Sequence, residues 1–302
     1  MNFVTILGPT ATGKTKLAAQ LAFHFNGEII SADSRQVYRS MNIGTGKDYD
    51  DYFVKAGMIP YHLVDVCEPQ DEFSVFDFQD LFYKTFDGIV SREKLPFLVG
   101  GTGMYLSSVI QNYKMKKISF NSEAKNELEQ ISIDELRQLL LTTSGNLHNT
   151  TDLIDKERII KAIIINQSND KPLLISKQLS SLVIGIAPPR SEIKKRITRR
   201  LEKRLSEGMV DEVKNLLEKG ITPERLNYFG LEYRYISLYL TGKLNYNDMF
   251  QKLNSSIHNF AKRQMTWFRK MEREGVQINW FEEPDFEKIK NLVEQFFPVI
   301  RT

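Results

Sequence analysis

The sequence predicts an α/β fold: a P-loop-type parallel sheet with helices on both faces, interrupted by a small helical insertion. Three observations carry that prediction. Six short apolar, β-branched runs (3–7, 28–31, 62–66, 97–99, 182–186 and 276–281) are separated by stretches of helical pattern, and alternating strands and helices imply a mostly parallel sheet covered on both faces. The first run leads straight into Gly8-Pro9-Thr10-Ala11-Thr12-Gly13-Lys14-Thr15, a full Gly-x-x-x-x-Gly-Lys-Thr pattern of the kind that joins a strand to a helix. From about Tyr113 to Lys177 the strand-like runs stop, and the chain becomes polar, helix-favouring and rich in Asn, Ser and Lys. The expected organisation is a core from residues 1–112 and 181–302, with a basic helical C-terminal part, and an insertion domain over 113–180.

Each element has a local reason. The 3–7 run reads as a buried strand, and Leu17, Ala18, Leu21, Ala22 and Phe25 recur at helical spacing after the glycine loop. Ser74 followed three residues later by Asp77 reads as a capping box opening a helix to about Val90. Pro96 precedes the fourth run, which ends at Gly100-Gly101-Thr102-Gly103 and opens a further helix over 104–110. Residues 142–151 read as a loop within the insertion. Pro188-Pro189-Arg190 ends the fifth strand. A strongly basic helix over 191–207 is closed by Gly208, and further helices reach about Arg273. There is no internal repeat and no low-complexity tract.

Composition limits the function classes. At 302 residues, 41% hydrophobic and 26% charged, the chain is an ordinary globular protein of more than one average domain. No apolar run approaches the roughly 20 residues that span a bilayer. The first strand enters the glycine loop at once, which leaves no room for a signal peptide, and the expected location is cytoplasmic. One cysteine, Cys67, excludes internal disulfides and zinc-thiolate clusters, and the four histidines have no metal-ligand spacing. Net charge is only +3, but residues 188–273 carry 19 Lys/Arg against 10 Asp/Glu. Such a segment is either a solvated helical face or the footprint of a polyanionic partner.

The glycine loop fixes one end of the chemistry. Its backbone N–H groups, Lys14 and the following helix N-terminus form a site for two linked phosphates, with Mg²⁺ on Thr15. Asp33 follows the second strand, on the side where open α/β sheets bind ligands. It can cap a turn, accept a proton or hold a metal through water. Asp65 closes Leu63-Val64-Asp65 and reads as a turn former or as a Walker B ligand. Asp48, Asp50 and Asp51 cluster without the Asp-Asp-x-x-Asp pairing that binds a diphosphate–Mg²⁺ unit in many prenyl-chain enzymes.

Together, several stretches resemble the bacterial-type tRNA dimethylallyltransferases, or tRNA isopentenyltransferases. They are GPTATGKT (8–15), ADSRQVYRSMNIGTGK (32–47), YHLVDVCEP (61–69), FSVFDF (73–78), PFLVGGTGMYL (96–106), Arg-Ile-x-x-Arg from Arg196, and AKRQMTWFR (261–269). The resemblance implies transfer of a dimethylallyl group from dimethylallyl diphosphate to N6 of adenosine 37, in tRNAs reading codons that begin with U, with release of diphosphate. It implies Asp33 as general base and Thr10, Lys14, Thr15 and Arg200 at the diphosphate. The remaining loop residues Gly8, Ala11, Thr12 and Gly13 belong to the same grip. Catalytic roles fall on Asp33, Thr15 and Arg200, with Mg²⁺ as cofactor. The tRNA anticodon stem-loop would meet Asp33, Ser34, Arg35 and Gln36, the insertion residues Glu157, Arg158 and Lys161, and the basic residues Lys194, Lys262 and Arg263. Trp267 and Phe268 would add aromatics there. Gly101, Thr102, Gly103 and Tyr105 would line the isoprenoid or adenine pocket, although Met104 and Tyr105 equally suit packing under their helix. The expected working form is a monomer without membrane attachment.

The chain also departs from the family pattern. Phe229-Gly230-Leu231-Glu232-Tyr233 stands where Ile-Gly-Tyr-Lys-Glu is usual, Ile257-His258-Asn259-Phe260 replaces a Thr-Arg motif, and the insertion lacks Asp-Pro-x-x-Ala. Other readings of the same loop are prenyl transfer to free adenine nucleotides, a nucleotide kinase or NTPase using Asp65, and a non-catalytic tRNA-binding protein.

Overall fold

A computed structural model describes residues 2–55, 57–115, 122–143, 153, 155–167 and 179–298. The chain divides into two compact units, Met1–Tyr113 with Lys177–Thr302, and Lys114–Ser176. In chain order the first unit begins with β1 (Asn2–Leu7), α1 (Lys14–His24) and β2 (Gly27–Ala32). A short 3-10 turn, Tyr49–Tyr52, precedes the small antiparallel pair β3 (Phe53–Val54) and β4 (Gly57–Met58). Then come β5 (Tyr61–His62), α2 (Val75–Ser91), β6 (Leu95–Gly100) and α3 (Gly103–Ile110). The second unit holds α4 (Ser122–Glu129), α5 (Ile133–Thr143) and α6 (Lys156–Gln167). The first unit resumes with β7 (Ser180–Ile186), α7 (Arg190–Ser206), α8 (Met209–Glu218), α9 (Pro223–Tyr228), α10 (Leu231–Leu240), α11 (Tyr246–Arg273), β8 (Ile278–Phe281) and α12 (Phe286–Phe296).

Six strands form one parallel sheet in the order β5-β2-β6-β1-β7-β8. The chain leaves β1 toward β2, β5 and β6 on one side and later toward β7 and β8 on the other. β1 therefore stands where the winding reverses, the place at which open α/β sheets bind ligands beyond their C-terminal ends.

Strand alternation sends side chains to two cores. Val4 and Ile6 of β1, with Phe97 and Val99 of β6, pack under α1 and α12. Phe3 and Leu7, with Leu98, pack under α2, α3 and the end of α11. A third core joins α7–α11 to Val37, Tyr38 and Met41, so the helical part of the chain supports the loop after β2. The second unit has its own core, built on Leu136, Leu140, Ile159 and Ile163. Among the described residues no helix is long and apolar enough to cross a membrane.

The capping box is formed: Ser74 and Asp77 each bond the other's backbone N–H. The 62–66 run is not a strand beyond His62. Leu63 and Asp65 take left-handed backbone (φ 61° and 55°), which turns the segment away from the sheet. In the 142–151 stretch, Thr142 and Thr143 are helical and end α5, while 144–151 lie outside the described residues.

Candidate active site

The loop between β1 and α1 is shaped by backbone handedness. Ala11 and Gly13 both take positive φ (64° and 76°), and Gly13 is the N-cap of α1. Alternating handedness of this kind turns successive N–H groups into an anion-binding concavity. Gly8 serves packing: a Cβ there would lie 2.3 Å from the Ile186 carbonyl oxygen of β7. It is not among the residues that line the cavity beyond the loop.

That cavity has a volume of about 460 Å³, ample for a small ligand. Residues 10–15 form its floor. Asp33 and Gln36 enter from the β2 end, Gly100 and Gly101 from the β6 end, and Arg196, Arg199, Arg200 and Lys203 from α7. The Lys14 ammonium donates to the Pro9 carbonyl (2.6 Å) and more loosely to Thr12 Oγ1 (3.4 Å). Burial, together with the Arg200 charge, brings its pKa down to about 7, against the opposing pull of Asp33. Arg200 donates through Nη2 to Thr10 Oγ1. Burial and the neighbouring Arg204 lower Arg200 to about 10, so it stays protonated at neutral pH. The cavity therefore gathers cations that mutual repulsion and desolvation disfavour, an electrostatic profile that suits a polyanion.

Asp33 Oδ1 accepts the Arg35 backbone N–H (2.9 Å), which fixes the carboxylate in a local turn. The residues on either side of it are tied to the glycine turn after β6. Thr102 N–H donates to Ala32 O (3.2 Å), and Ser34 N–H donates to Thr102 Oγ1 (2.9 Å). Gln36 accepts from Ser31 Oγ (3.1 Å) and donates to Gly46 O (2.9 Å), which draws the 45–48 segment over the cavity.

The placement of other expected residues corrects part of the sequence reading and, for Tyr105 and Asp65, decides between readings it left open. Tyr105 is 4% exposed and stacks on Phe78 (ring centroids 4.0 Å, 11° between planes); it packs under α3 and does not line the cavity. Gly103 faces Trp267, whose ring a Cβ would meet at 2.3 Å, and Thr102 is occupied with Ser34; of that turn only Gly100 and Gly101 reach the cavity. Phe268 is fully buried and does not face outward, while the half-buried Trp267 donates to Ser107 Oγ (2.9 Å) and braces α11 against α3. Asp65 is no cavity ligand. It pairs with the buried Lys47 ammonium (2.5 Å) and accepts from Tyr49 OH (2.5 Å), pinning the loop after β2.

Lys194, Lys262 and Arg263 are exposed on α7 and α11, and Arg35 lies over the Tyr228 ring (5.4 Å). Glu157 and Arg158 are exposed in the second unit, where Lys161 pairs with Glu157 (2.8 Å). Glu232, in the segment that departs from the family pattern, has its carboxyl raised by burial against the pull of Arg204 and Arg200.

Sequence reasoning missed several lining residues. Asp48 binds Arg204 (3.2 Å), and Asp51 lines the cavity with its carboxyl raised, first by burial and then by Asp48. The acidic cluster was visible in sequence, but its cationic partner lies 156 positions away. Gln264, within the AKRQMTWFR stretch, was also passed over, although it bonds both the glycine loop and the turn after β6.

Comparisons with known proteins agree on one family. The family model described as IPP transferase matches residues 36–271, and one described as isopentenyl transferase matches residues 1–59. The tRNA dimethylallyltransferase 1 of Syntrophus aciditrophicus (strain SB) is 48% identical over 297 residues, 97% of each chain. A protein of the same name from Geotalea uraniireducens (strain Rf4) is 50% identical over 283 residues, 93% of this chain and 92% of that one. The crystal structure of the full-length tRNA isopentenylpyrophosphate transferase from Bacillus halodurans is 32% identical, with a TM-score of 0.69 covering 99% of this chain and 96% of that one.

Proposed function

The chain belongs to the IPP transferase family, and on that premise we propose that it transfers a dimethylallyl group from dimethylallyl diphosphate to N6 of adenosine 37 in tRNAs that read codons beginning with U, releasing diphosphate. The observation that carries this reading is a single cavity holding both halves of the reaction: a phosphate-binding loop with Lys14 and Arg200 on one side, and the Asp33 carboxylate on the other. The proposed working unit is a monomer.

The chemistry needs both halves. An adenine amine is a weak nucleophile because its lone pair is delocalised into the ring. As N6 bonds to the allylic carbon, Asp33 takes the N6 proton, a contribution of roughly 10²–10⁴-fold. The C–O bond to diphosphate breaks at the same carbon. Charge then accumulates on the leaving oxygens, where Lys14, Arg200 and the loop N–H groups face it. The target base must leave its stack to reach the cavity, which suits an unpaired anticodon loop. Lys194, Lys262, Arg263 and Arg35 are proposed to hold tRNA phosphates, with Glu157, Arg158 and Lys161 adding contacts from the second unit.

The residues present fit Mg²⁺. Among the described residues no cluster of three or more His, Cys, Asp or Glu could hold a metal alone, whereas Mg²⁺ is commonly bound by substrate phosphates and water with one or two protein oxygens. Thr15, which lines the cavity beside Lys14, is the proposed ligand. When bound, the ion supplies charge compensation on the leaving diphosphate.

A transfer assay tests this. Protein and Mg²⁺ are given labelled dimethylallyl diphosphate with unmodified tRNA, the same tRNA with adenosine 37 replaced, AMP, or ATP. Label should enter only the intact tRNA. Equal labelling of AMP would move the reaction to free nucleotides, and ATP hydrolysis without transfer would reject it. Asp33→Ala should keep tRNA affinity while single-turnover transfer drops at least 100-fold, within the range for a lost general base; a near-wild-type rate would remove Asp33 from that role.

A further inference from the structure

We propose that Gln264 is a positioning residue that sets the distance between the diphosphate grip and the base. The inference rests on the transfer reaction proposed above and extends it to a residue outside the reacting groups. Gln264 comes from the middle of α11 and is 7% exposed. Both ends of its amide are used. Oε1 accepts the Thr10 backbone N–H (2.9 Å) and Nε2 donates to Gly101 O (2.9 Å).

Those two contacts lie where the sheet no longer holds the chain. The β1–β6 ladder ends at Leu7 opposite Gly100, and the β2–β6 ladder ends at Ala32 opposite Gly100. The three segments beyond carry the chemistry. Thr10 accepts the Arg200 guanidinium, and Thr102, next to Gly101, bonds both neighbours of Asp33 in sequence, Ala32 and Ser34. Gln264 thus closes a continuous path from Arg200 and Thr10, through Gly101 and Thr102, to Asp33.

The fit is specific to this pair of residues. A Cβ on Gly101 would lie 2.4 Å from Gln264 Nε2, so only glycine lets the amide reach the turn. The bridge also needs one acceptor and one donor on a single planar group. Ionised glutamate lacks the donor and methionine lacks both. α11 itself is anchored one turn later, where Trp267 donates to Ser107 of α3 and Phe268 sits in the core, so the bridge has a rigid base. An in-line displacement is sensitive to such spacing, since a misplacement of about 1 Å costs on the order of 100-fold.

The test compares wild type with Gln264→Met, Gln264→Glu and Gly101→Ala. It measures the single-turnover rate of dimethylallyl transfer to tRNA per mole of bound donor, donor and tRNA affinities, and Tm. All three variants should transfer roughly 30–100-fold more slowly per bound donor. Their tRNA affinity should stay within about twofold of wild type, because no phosphate contact is altered. If the loss lies only in the fraction of protein that binds donor, with the remaining sites turning over at the wild-type rate, Gln264 is merely structural and the proposal is overturned. Rates within about threefold of wild type overturn it equally. Should Gln264→Met fail to fold, Gln264→Glu, which keeps the size and the Thr10 acceptor, decides the matter. Failure of the wild-type protein to transfer at all would sink the reaction itself, a result visible before any variant is compared.

Discussion

At the scale of single residues, the site gathers cations that burial and mutual repulsion disfavour, a cost that the proposed diphosphate would relieve. Lys14 is the clearest case. Burial and then Arg200 lower its pKa to about 7, so the side chain gives up its proton as pH rises through neutrality. A bound diphosphate favours the charged form and raises that pKa again. The sign follows: above pH 7, binding takes up a proton, so affinity falls as pH rises, by up to about tenfold per unit; below pH 7 this dependence vanishes. Calorimetry of donor binding in buffers of different ionisation enthalpy should show most of a proton taken up at pH 8, and the uptake should disappear in Lys14→Arg, which cannot lose its charge. Uptake that is the same in both proteins would place the linked group elsewhere. Lys14, Thr10 and Asp33 were legible in the sequence because each sits in a short contiguous motif. Gln264 was not, because its meaning lies in two backbone partners, one 254 and the other 163 positions away.

At the scale of elements, the long segment between β2 and β5 raises the question of what keeps it in place, since it has little regular structure of its own. The answer is a set of side chains whose partners are distant in sequence. Glu212 of α8 accepts the N–H groups of Asn42 (2.7 Å), Ile43 (2.8 Å) and Gly44 (3.0 Å) and the Tyr233 hydroxyl (2.7 Å). Lys47 and Asp65 fix the following turn. Strand and helix periodicity expose the sheet and the helices, but a carboxylate that receives three loop amides leaves no periodic trace. The over-long 62–66 strand has the same origin: its apolar residues follow a β pattern, while Leu63 and Asp65 take left-handed backbone, with Leu63 in the second core beside Phe3 and Leu98 and Asp65 on Lys47. Glu212→Ala strands four donors at once. It should cost roughly 2–3 kcal/mol of stability in urea unfolding, as expected for hydrogen bonds to a charged acceptor, and Glu212→Gln should recover part of that. A loss below about 0.5 kcal/mol would mean that water satisfies the loop equally well. Because Gln36 and Gly46 join this loop to the cavity, the same variant should also slow transfer.

At the scale of the whole molecule, charge is unevenly placed. A chain with a net charge of only +3 concentrates its cations between β7 and β8, and α7 spends them on two faces. Arg196, Arg199, Arg200 and Lys203 line the cavity, Arg199 and Lys203 at its exposed rim, whereas Lys194 and Lys195 are exposed and do not line it. Sequence alone showed the excess but not the division, because adjacent helical positions differ by about 100° in direction and only packing fixes which face turns inward. The exposed face is the one proposed to meet tRNA, and counterion release gives it a quantitative signature. Lys194→Ala with Lys195→Ala should weaken tRNA binding and flatten the plot of log K against log salt by about 1.5 for the pair. Donor affinity should hold, since neither lysine lines the cavity. An unchanged slope would place the phosphate track on another surface, with the exposed Lys262 and Arg263 of α11 as the next pair to remove. Weaker donor binding with unchanged tRNA affinity would mean instead that the two faces of α7 are not electrostatically separate, and that the excess charge serves the diphosphate alone.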